Sequence, residues 1–412
     1  MRLLHFLNIP ITADQIKSGG NKISTSGGWM VTLLARILEN TNFTIGCAAF
    51  GMVAKRQKFH NDRIISFILP SASRENGSGL NMCRDIVNEW KPDLIHIHGT
   101  ESCFGLLSAR GLVKCPVVIS LQGLLGPYSE WRNFFGNSKL LDIIRMHRWL
   151  DIPTLRGKWI EFLKIRKAAK REREIITGNQ FFLGRTTWDR AVIEAINPAV
   201  HYYHGGELLR GAFWRSLWDI KHAKKQRIMF INAGHPRKGA EIVFEAIKLL
   251  QPNYPDIHIA IAGAISRRSG YGRHIRRQIA KLGNAATELG PLDAEQITEE
   301  MMKSHVFVSP SFIENSSNAV CEAQLMGMPV IASYTGGLPS LIKDGVTGLF
   351  FPVGDAPILA ARVRQVLEND QLAVQLGSQA REVAVKRHDD SKIVQDILSV
   401  YEDVMRHAGA QN

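Results

Sequence analysis

Two glutamates, Glu314 and Glu322, flank a run of small polar residues, Asn315, Ser316, Ser317 and Asn318. Ahead of them, Val306 to Ser309 reads as a strand that enters a loop through Pro310. Behind them, Ala319 to Met326 reads as a helix closed by Gly327. A helix start behind small polar residues offers unpaired backbone N–H groups and the positive end of the helix dipole, a setting for a phosphate. Glu322, in the first turns of that helix, could accept hydrogen bonds from ribose hydroxyls. Glu314, in the loop, could reach the hydroxyls of a sugar, and both contacts are short and charge-assisted. Taken alone, the pair reads more readily as a capping serine beside two solvated glutamates.

The surrounding residues narrow this. Ser309-Pro310-Ser311 precedes Glu314. Glu322-Ala323 leads to Gly327, then to Pro329-Val330-Ile331-Ala332-Ser333 and to Gly336-Gly337. Lys343-Asp344-Gly345-Val346-Thr347-Gly348-Leu349 follows. This succession resembles the signature of the GT-B-fold glycosyltransferases of family 4, across the C-terminal half and more loosely across the N-terminal half. The resemblance implies a retaining enzyme that takes a nucleotide-diphosphate sugar as donor and needs no metal or other cofactor. It implies donor contacts from Gly28, His235, Glu314, Asn315, Ser316, Ser317, Asn318, Ala319 and Glu322, with Glu314 among the catalytic residues. It also implies two cationic side chains after the first strand of the C-terminal domain, where Asn232-Ala233-Gly234-His235-Pro236-Arg237-Lys238-Gly239 stands. Lys238-Gly239 matches the family's Lys-Gly pair. The family's arginine directly follows the glycine, but here His235 follows Gly234, and Arg237 is expected to serve instead. Arg237 and Lys238 would then stabilise the leaving diphosphate.

On the acceptor side, Asp93 to His98 reads as a strand whose period of two sets His96 and His98 on one face. With Glu101 they could also form a metal site, but a third ligand at suitable spacing is not evident. A substrate contact by His98 is the preferred reading. Many relatives carry a histidine one strand later; this chain has Gln122, which can hydrogen-bond a sugar but cannot act as a general base. That suits front-face attack, in which the leaving phosphate takes the acceptor proton. Leu183 to Asp189 and Tyr202 to Arg210 resemble a bacterial surface-polysaccharide branch of the family. They place Arg185, Glu207 and Arg210 near an interdomain cleft, or in a plain ion-pair network.

Parallel sheets must position these residues. Apolar, β-branched runs at 3–8, 44–49, 64–69, 93–98 and 117–121 alternate with helical patterns such as 29–39 and 79–90. A second series runs through 227–232, 257–262, 306–309, 329–333 and 348–351. This alternation predicts an α/β protein of two doubly wound, Rossmann-like domains, with ligands beyond the carboxyl ends of the strands. The expected division is an N-terminal acceptor domain at 1–206, a linker at 207–226, a nucleotide-sugar domain at 227–390 and a terminal amphipathic helix at 391–412 that packs back on the first domain.

The 412-residue length suits two domains, and 45% hydrophobic with 22% charged residues excludes a disordered chain. The five cysteines show no CxxC pair, and the short apolar start is not a signal peptide. A cytoplasmic protein is therefore expected. The net charge of +13 calls for an anionic partner. Much of it lies in a basic, aromatic insertion at about 127–173, where Trp131, Phe134, Phe135 and Trp159 interleave with Lys164, Arg166, Lys167, Lys170 and Arg171. No zinc, RNP or helix-turn-helix pattern accompanies it, so nucleic acid is not the expected partner. An anionic inner-membrane surface and a polyprenyl-diphosphate-linked saccharide acceptor are. The alternatives are an inactive sugar-nucleotide-binding subunit, a nucleotide-sugar epimerase and a phosphorylase on the same fold.

Overall fold

The computed structural model describes residues 1–17, 28–74, 77–138, 143 and 157–409. The first sheet has eight strands: β1 (Arg2–Leu7), β2 (Thr44–Gly51), β3 (Gln57–Asn61), β4 (Ile64–Pro70), β5 (Leu94–His98), β6 (Val117–Ser120), β7 (Phe181–Gly184) and β8 (His201–His204). Their order is β3-β4-β2-β1-β5-β6-β7-β8, parallel except for the edge strand β3. The second sheet holds β9 (Lys224–Ile231), β10 (His258–Ala262), β11 (Ala286–Gly290), β12 (Ser304–Ser309), β13 (Val330–Ser333) and β14 (Leu349–Phe351), ordered β11-β10-β9-β12-β13-β14. Two parallel, helix-covered sheets make this the α/β, doubly wound architecture expected from the alternation.

Central strands such as β1, β5 and β12 are buried nearly throughout, because helices cover both faces of a parallel sheet. Alternate residues of β1 enter different clusters: Leu3 and Leu7 join one core, Leu4 and Phe6 another. The last helix, Asp390–Gly409, seats Ile393, Ile397, Val400, Tyr401 and Val404 in the core that contains Leu3 and Leu7.

Contacts divide the chain into two units. The first comprises Met1–Gly126, Lys167–Leu208 and His388–Asn412; the second comprises Pro127–Arg166 and Leu209–Arg387. Two segments fall differently from the linear reading. Much of the basic, aromatic segment groups with the second unit, where Phe134, Phe135, Ile143 and Phe162 form a small core of their own. The stretch read as a linker supplies Leu209, Ala212, Phe213 and Trp218 to the large core of the second unit. Its many lysines and arginines hide that apolar set from a composition-based reading.

Candidate functional site

In the second unit, β9 ends at Ile231 and the chain turns through Asn232, which adopts a positive φ of 71°. Gly234 follows, where an added Cβ would lie 2.5 Å from the Ala264 carbonyl oxygen. A 3-10 turn, Pro236–Lys238, then presents Arg237 and Lys238. It closes on Gly239 at φ 69°, where a Cβ would come within 2.1 Å of the Pro310 carbonyl oxygen, so only glycine fits. The turn is tied to the next strand end, since the Phe312 N–H donates to the Arg237 carbonyl at 2.8 Å.

Glu314 lies in the loop after β12 and is buried. The Lys238 ammonium and the Ser311 hydroxyl both donate to its Oε1. Burial opposes its charge, but the pull of Lys238 and Arg237 with these hydrogen bonds outweighs burial and holds the carboxyl below its ordinary range. The loop is fixed from behind. The Gly337 N–H donates to the Glu314 carbonyl at 3.0 Å, and Gly336, at φ 49°, packs so closely that a Cβ would sit 1.9 Å from the same oxygen. The Gly336-Gly337 pair of the sequence signature is thus what seats Glu314.

Asn315 and Ser317 are buried, whereas Ser316, Asn318 and Ala319 are partly exposed. Ser317 occupies the N-cap of the helix Asn318–Leu325 in extended backbone and forms no side-chain cap bond of its own. Glu322 lies inside this helix, 3% exposed. Sequence reading placed it toward a ribose; in the structure Arg210 grips it through two hydrogen bonds, Nε–Oε1 at 2.7 Å and Nη2–Oε2 at 2.8 Å. The Arg210 guanidinium rests on the Phe213 ring, 4.7 Å from its centroid. His235 is partly buried at the N-cap of the 3-10 turn, and its Nδ1 accepts the Arg237 backbone N–H at 3.1 Å. Gly28 opens the helix Gly28–Asn40 of the first unit, and its neighbour Gly27 lies outside the described residues.

In the first unit, the residues expected on the acceptor side gather at the carboxyl ends of β5, β6 and β7. His98 ends β5 and is buried, with its Nε2 3.0 Å from Nδ1 of His5. Its ring stacks on His96 at 4.0 Å. Burial first, then the neighbouring imidazoles and Arg185, push the pKa of His98 well down, so it is a neutral imidazole. Gly99, at φ 95°, brings the chain past Glu101, whose Oε2 would be 1.9 Å from a Cβ at that glycine. Glu101 accepts from Asn8 at 3.2 Å and from the Gly123 backbone, and burial raises its pKa. Gly123 adjoins Gln122, so Glu101 and the partly exposed Gln122 share one corner of the sheet. Arg185 follows β7, bonds Glu207 at 2.6 Å and lies 5.2 Å from the Trp29 ring centroid. Glu172, a buried carboxylate that sequence reading passed over, accepts from Thr100 and from the Gly126 N–H and so ties the β5 and β6 loops together.

The His96, His98 and Glu101 grouping considered as a metal site is not the one formed. His5 takes the place of Glu101, and among the described residues His5, His96 and His98 set ligand-type atoms within 4.8 Å of one another. Both His96 nitrogens are already engaged, with Tyr401 Oη at 2.7 Å and Ser120 Oγ at 2.6 Å. The trio is a hydrogen-bonded buried cluster under the terminal helix.

Known proteins resemble this chain in sequence and in fold. Residues 214–383 match the family model described as glycosyl transferases group 1. A sulfoquinovosyl transferase of Arabidopsis thaliana is 26% identical over 308 residues, 73% of this chain and 54% of that protein. A phosphatidyl-myo-inositol mannosyltransferase of Mycolicibacterium smegmatis is 32% identical over 170 residues, 41% of this chain and 42% of its own length. The chain thus spans about half the length of the curated relatives it matches. A sucrose-phosphate synthase from Thermosynechococcus elongatus superposes over 98% of this chain and 99% of its own with a TM-score of 0.74 at 16% identity. Anabaena HepE, solved with UDP and glucose, gives 0.67 at 16% identity, over 98% of this chain and 99% of its own. The segment that holds Arg237, Lys238, Glu314 and Glu322 is thus the part of this chain that matches the glycosyl transferases group 1 model, and its two Rossmann-like units share the fold of the solved structures it resembles.

Proposed function

We propose that this chain transfers a hexose from a nucleotide-diphosphate sugar to a saccharide acceptor, with retention and without a metal. One observation carries the reading. Arg237 Nε is buried with no hydrogen-bond partner, on the turn that also presents Lys238 to Glu314. A cation left with a desolvated donor suits an anion such as a diphosphate. Arg237 and Lys238 take up the charge that develops on the leaving diphosphate, as oriented cations do without reorganising during the reaction. Glu314 holds the sugar, and the start of the helix whose Glu322 is paired with Arg210 faces the nucleotide. His98, Glu101, Gln122 and Arg185 serve the acceptor. The leaving phosphate accepts the acceptor proton, because Gln122 carries no basic group.

The acceptor is a polyprenyl-diphosphate-linked saccharide at an anionic, cytoplasmic membrane face, as in bacterial exopolysaccharide, capsule or lipopolysaccharide assembly. No helix among the described residues is long and apolar enough to cross a membrane. The helix Lys158–Thr177 exposes Trp159, Leu163, Arg166, Lys167 and Lys170 at spacings that fall on one helical face. Aromatic and aliphatic residues among cations suit a lipid interface.

A thermal-shift screen against UDP-, GDP- and ADP-sugars tests the core of this reading. One nucleotide class raises the melting temperature by mass action, and a variant with Arg237→Ala and Lys238→Ala loses the response. No response to any of the three defeats it. Anomeric analysis of the product by NMR decides the stereochemistry.

A further inference from the structure

Three contacts fasten the segment Pro127–Arg166 to the turn that carries Arg237 and Lys238. The Tyr128 ring centroid lies 4.8 Å from the Arg237 guanidinium. Phe134 meets the His235 ring edge-on at 4.9 Å. Glu161 Oε1 lies 3.2 Å from His235 Nε2, and Lys158 holds the other Glu161 oxygen at 2.7 Å.

The hydrogen bonds define how the His235 ring is protonated. Its Nδ1 accepts the Arg237 backbone N–H at 3.1 Å, so that nitrogen carries no proton. In the neutral imidazole the proton then sits on Nε2 and is donated to Glu161. Burial pushes the His235 pKa down to about 4, against the pull of Glu161. Burial works against the Glu161 charge, but His235 and Lys158 outweigh it and hold that carboxyl at about 2. At neutral pH the pair is therefore carboxylate and neutral imidazole. The opposite tautomer would set Nδ1–H against the Arg237 N–H, donor against donor, and undo the N-cap of the turn.

We propose that Glu161 is a positioning residue of the donor-diphosphate site: it fixes the tautomer and ring of His235, and His235 fixes the turn that aims Arg237 and Lys238. This rests on reading Arg237 and Lys238 as the diphosphate cradle. Glu161 comes from outside the doubly wound part of the second unit, and it reaches the cradle through the residue that stands where the family's arginine would be.

The test compares the full chain with its Glu161→Ala and Glu161→Gln variants. UDP, GDP and ADP affinity is measured by calorimetry, and the His235 tautomer by imidazole ¹⁵N shifts. Glu161→Ala weakens the best nucleoside diphosphate on the order of 10-fold, the scale of a modest misplacement of binding groups. Glu161→Gln, whose amide oxygen still accepts from Nε2–H, keeps affinity to within about threefold. The wild type and the Gln variant show the Nε2–H tautomer, and the Ala variant a mixture. An Ala variant that binds like wild type, or a wild type with the Nδ1–H tautomer, overturns the proposal. If the Ala variant folds poorly, the Gln variant and the tautomer decide. A wild type that binds none of the three nucleotides removes the cradle itself, a failure distinct from that of Glu161.

Discussion

Arg210 and Glu322, 112 residues apart in sequence, meet in a two-pronged ion pair with bonds of 2.7 and 2.8 Å. The two partners are not equivalent: the Arg210 side chain is 30% exposed and the Glu322 side chain only 4%. Arg210 can recover water if its partner is lost, whereas Glu322 cannot.

That asymmetry makes a prediction. Arg210→Ala strands a buried carboxylate and lowers stability by about 3 kcal/mol, the scale for breaking one side of a buried pair. Glu322→Gln keeps a polar group for Arg210 and loses about 1 kcal/mol. Urea denaturation of both variants measures the difference, and equal losses would contradict the burial argument.

Gly239 and Gly336 should both refuse a methyl group. Each has positive φ, and a Cβ would meet a carbonyl oxygen at 2.1 and 1.9 Å respectively. Gly239→Ala and Gly336→Ala are expected to lose about 2 kcal/mol or more each, from backbone strain and the clash together. Gly345, also at positive φ but with nothing near its Cβ position, should lose only about 1 kcal/mol as alanine. Thermal melts of the three variants give the ranking.

Acid should destabilise the first unit through its buried imidazoles. Burial lowers the pKa of His5 from 6.5 to about 3, and it lowers His96 and His98 in the same direction. A depressed folded-state pKa means that stability is present above the unfolded value and is lost as pH falls below it. Between pH 6.5 and about 4, the His5 imidazole removes about 1.4 kcal/mol per pH unit, and His96 and His98 act in the same direction. Replacing His5 with Met should make the fall shallower by one histidine's share. An unchanged slope in denaturation from pH 7 to 4 would mean that His5 already titrates in the folded chain.

For the helix Lys158–Thr177, changing Arg166, Lys167 and Lys170 to Gln should weaken binding to vesicles rich in anionic lipid by about 1 kcal/mol per charge. Trp159→Ala should weaken it further, and neutral vesicles should bind poorly throughout. Co-sedimentation that is indifferent to all three charges would exclude this face.

What could be read in the sequence follows from range. Glu314, Gly336 and Gly337 lie within one strand–loop–helix–strand stretch, so their order already carries the geometry. The Arg210–Glu322 and Glu161–His235 contacts span 112 and 74 residues, and no local pattern announces them. Glu172 was hidden for another reason: with Glu174 it stands in a run of cations that reads as a solvated face, and only the fold shows that it bonds Thr100 and Gly126. Strands β3 and β11 were missed because both are edge strands, mostly exposed or half-buried, without the apolar run that marks an interior strand.

The terminal helix has a consequence for synthesis. The first unit is assembled from three stretches of chain, the last of which begins at His388. Its core around Leu3, Leu7 and Ile45 stays uncovered until Ile393, Ile397 and Tyr401 have emerged from the ribosome. All residues of the second unit are translated before then. The core of the first unit is therefore closed only after the residues of the second have been made, and until then its apolar face stays open on the nascent chain.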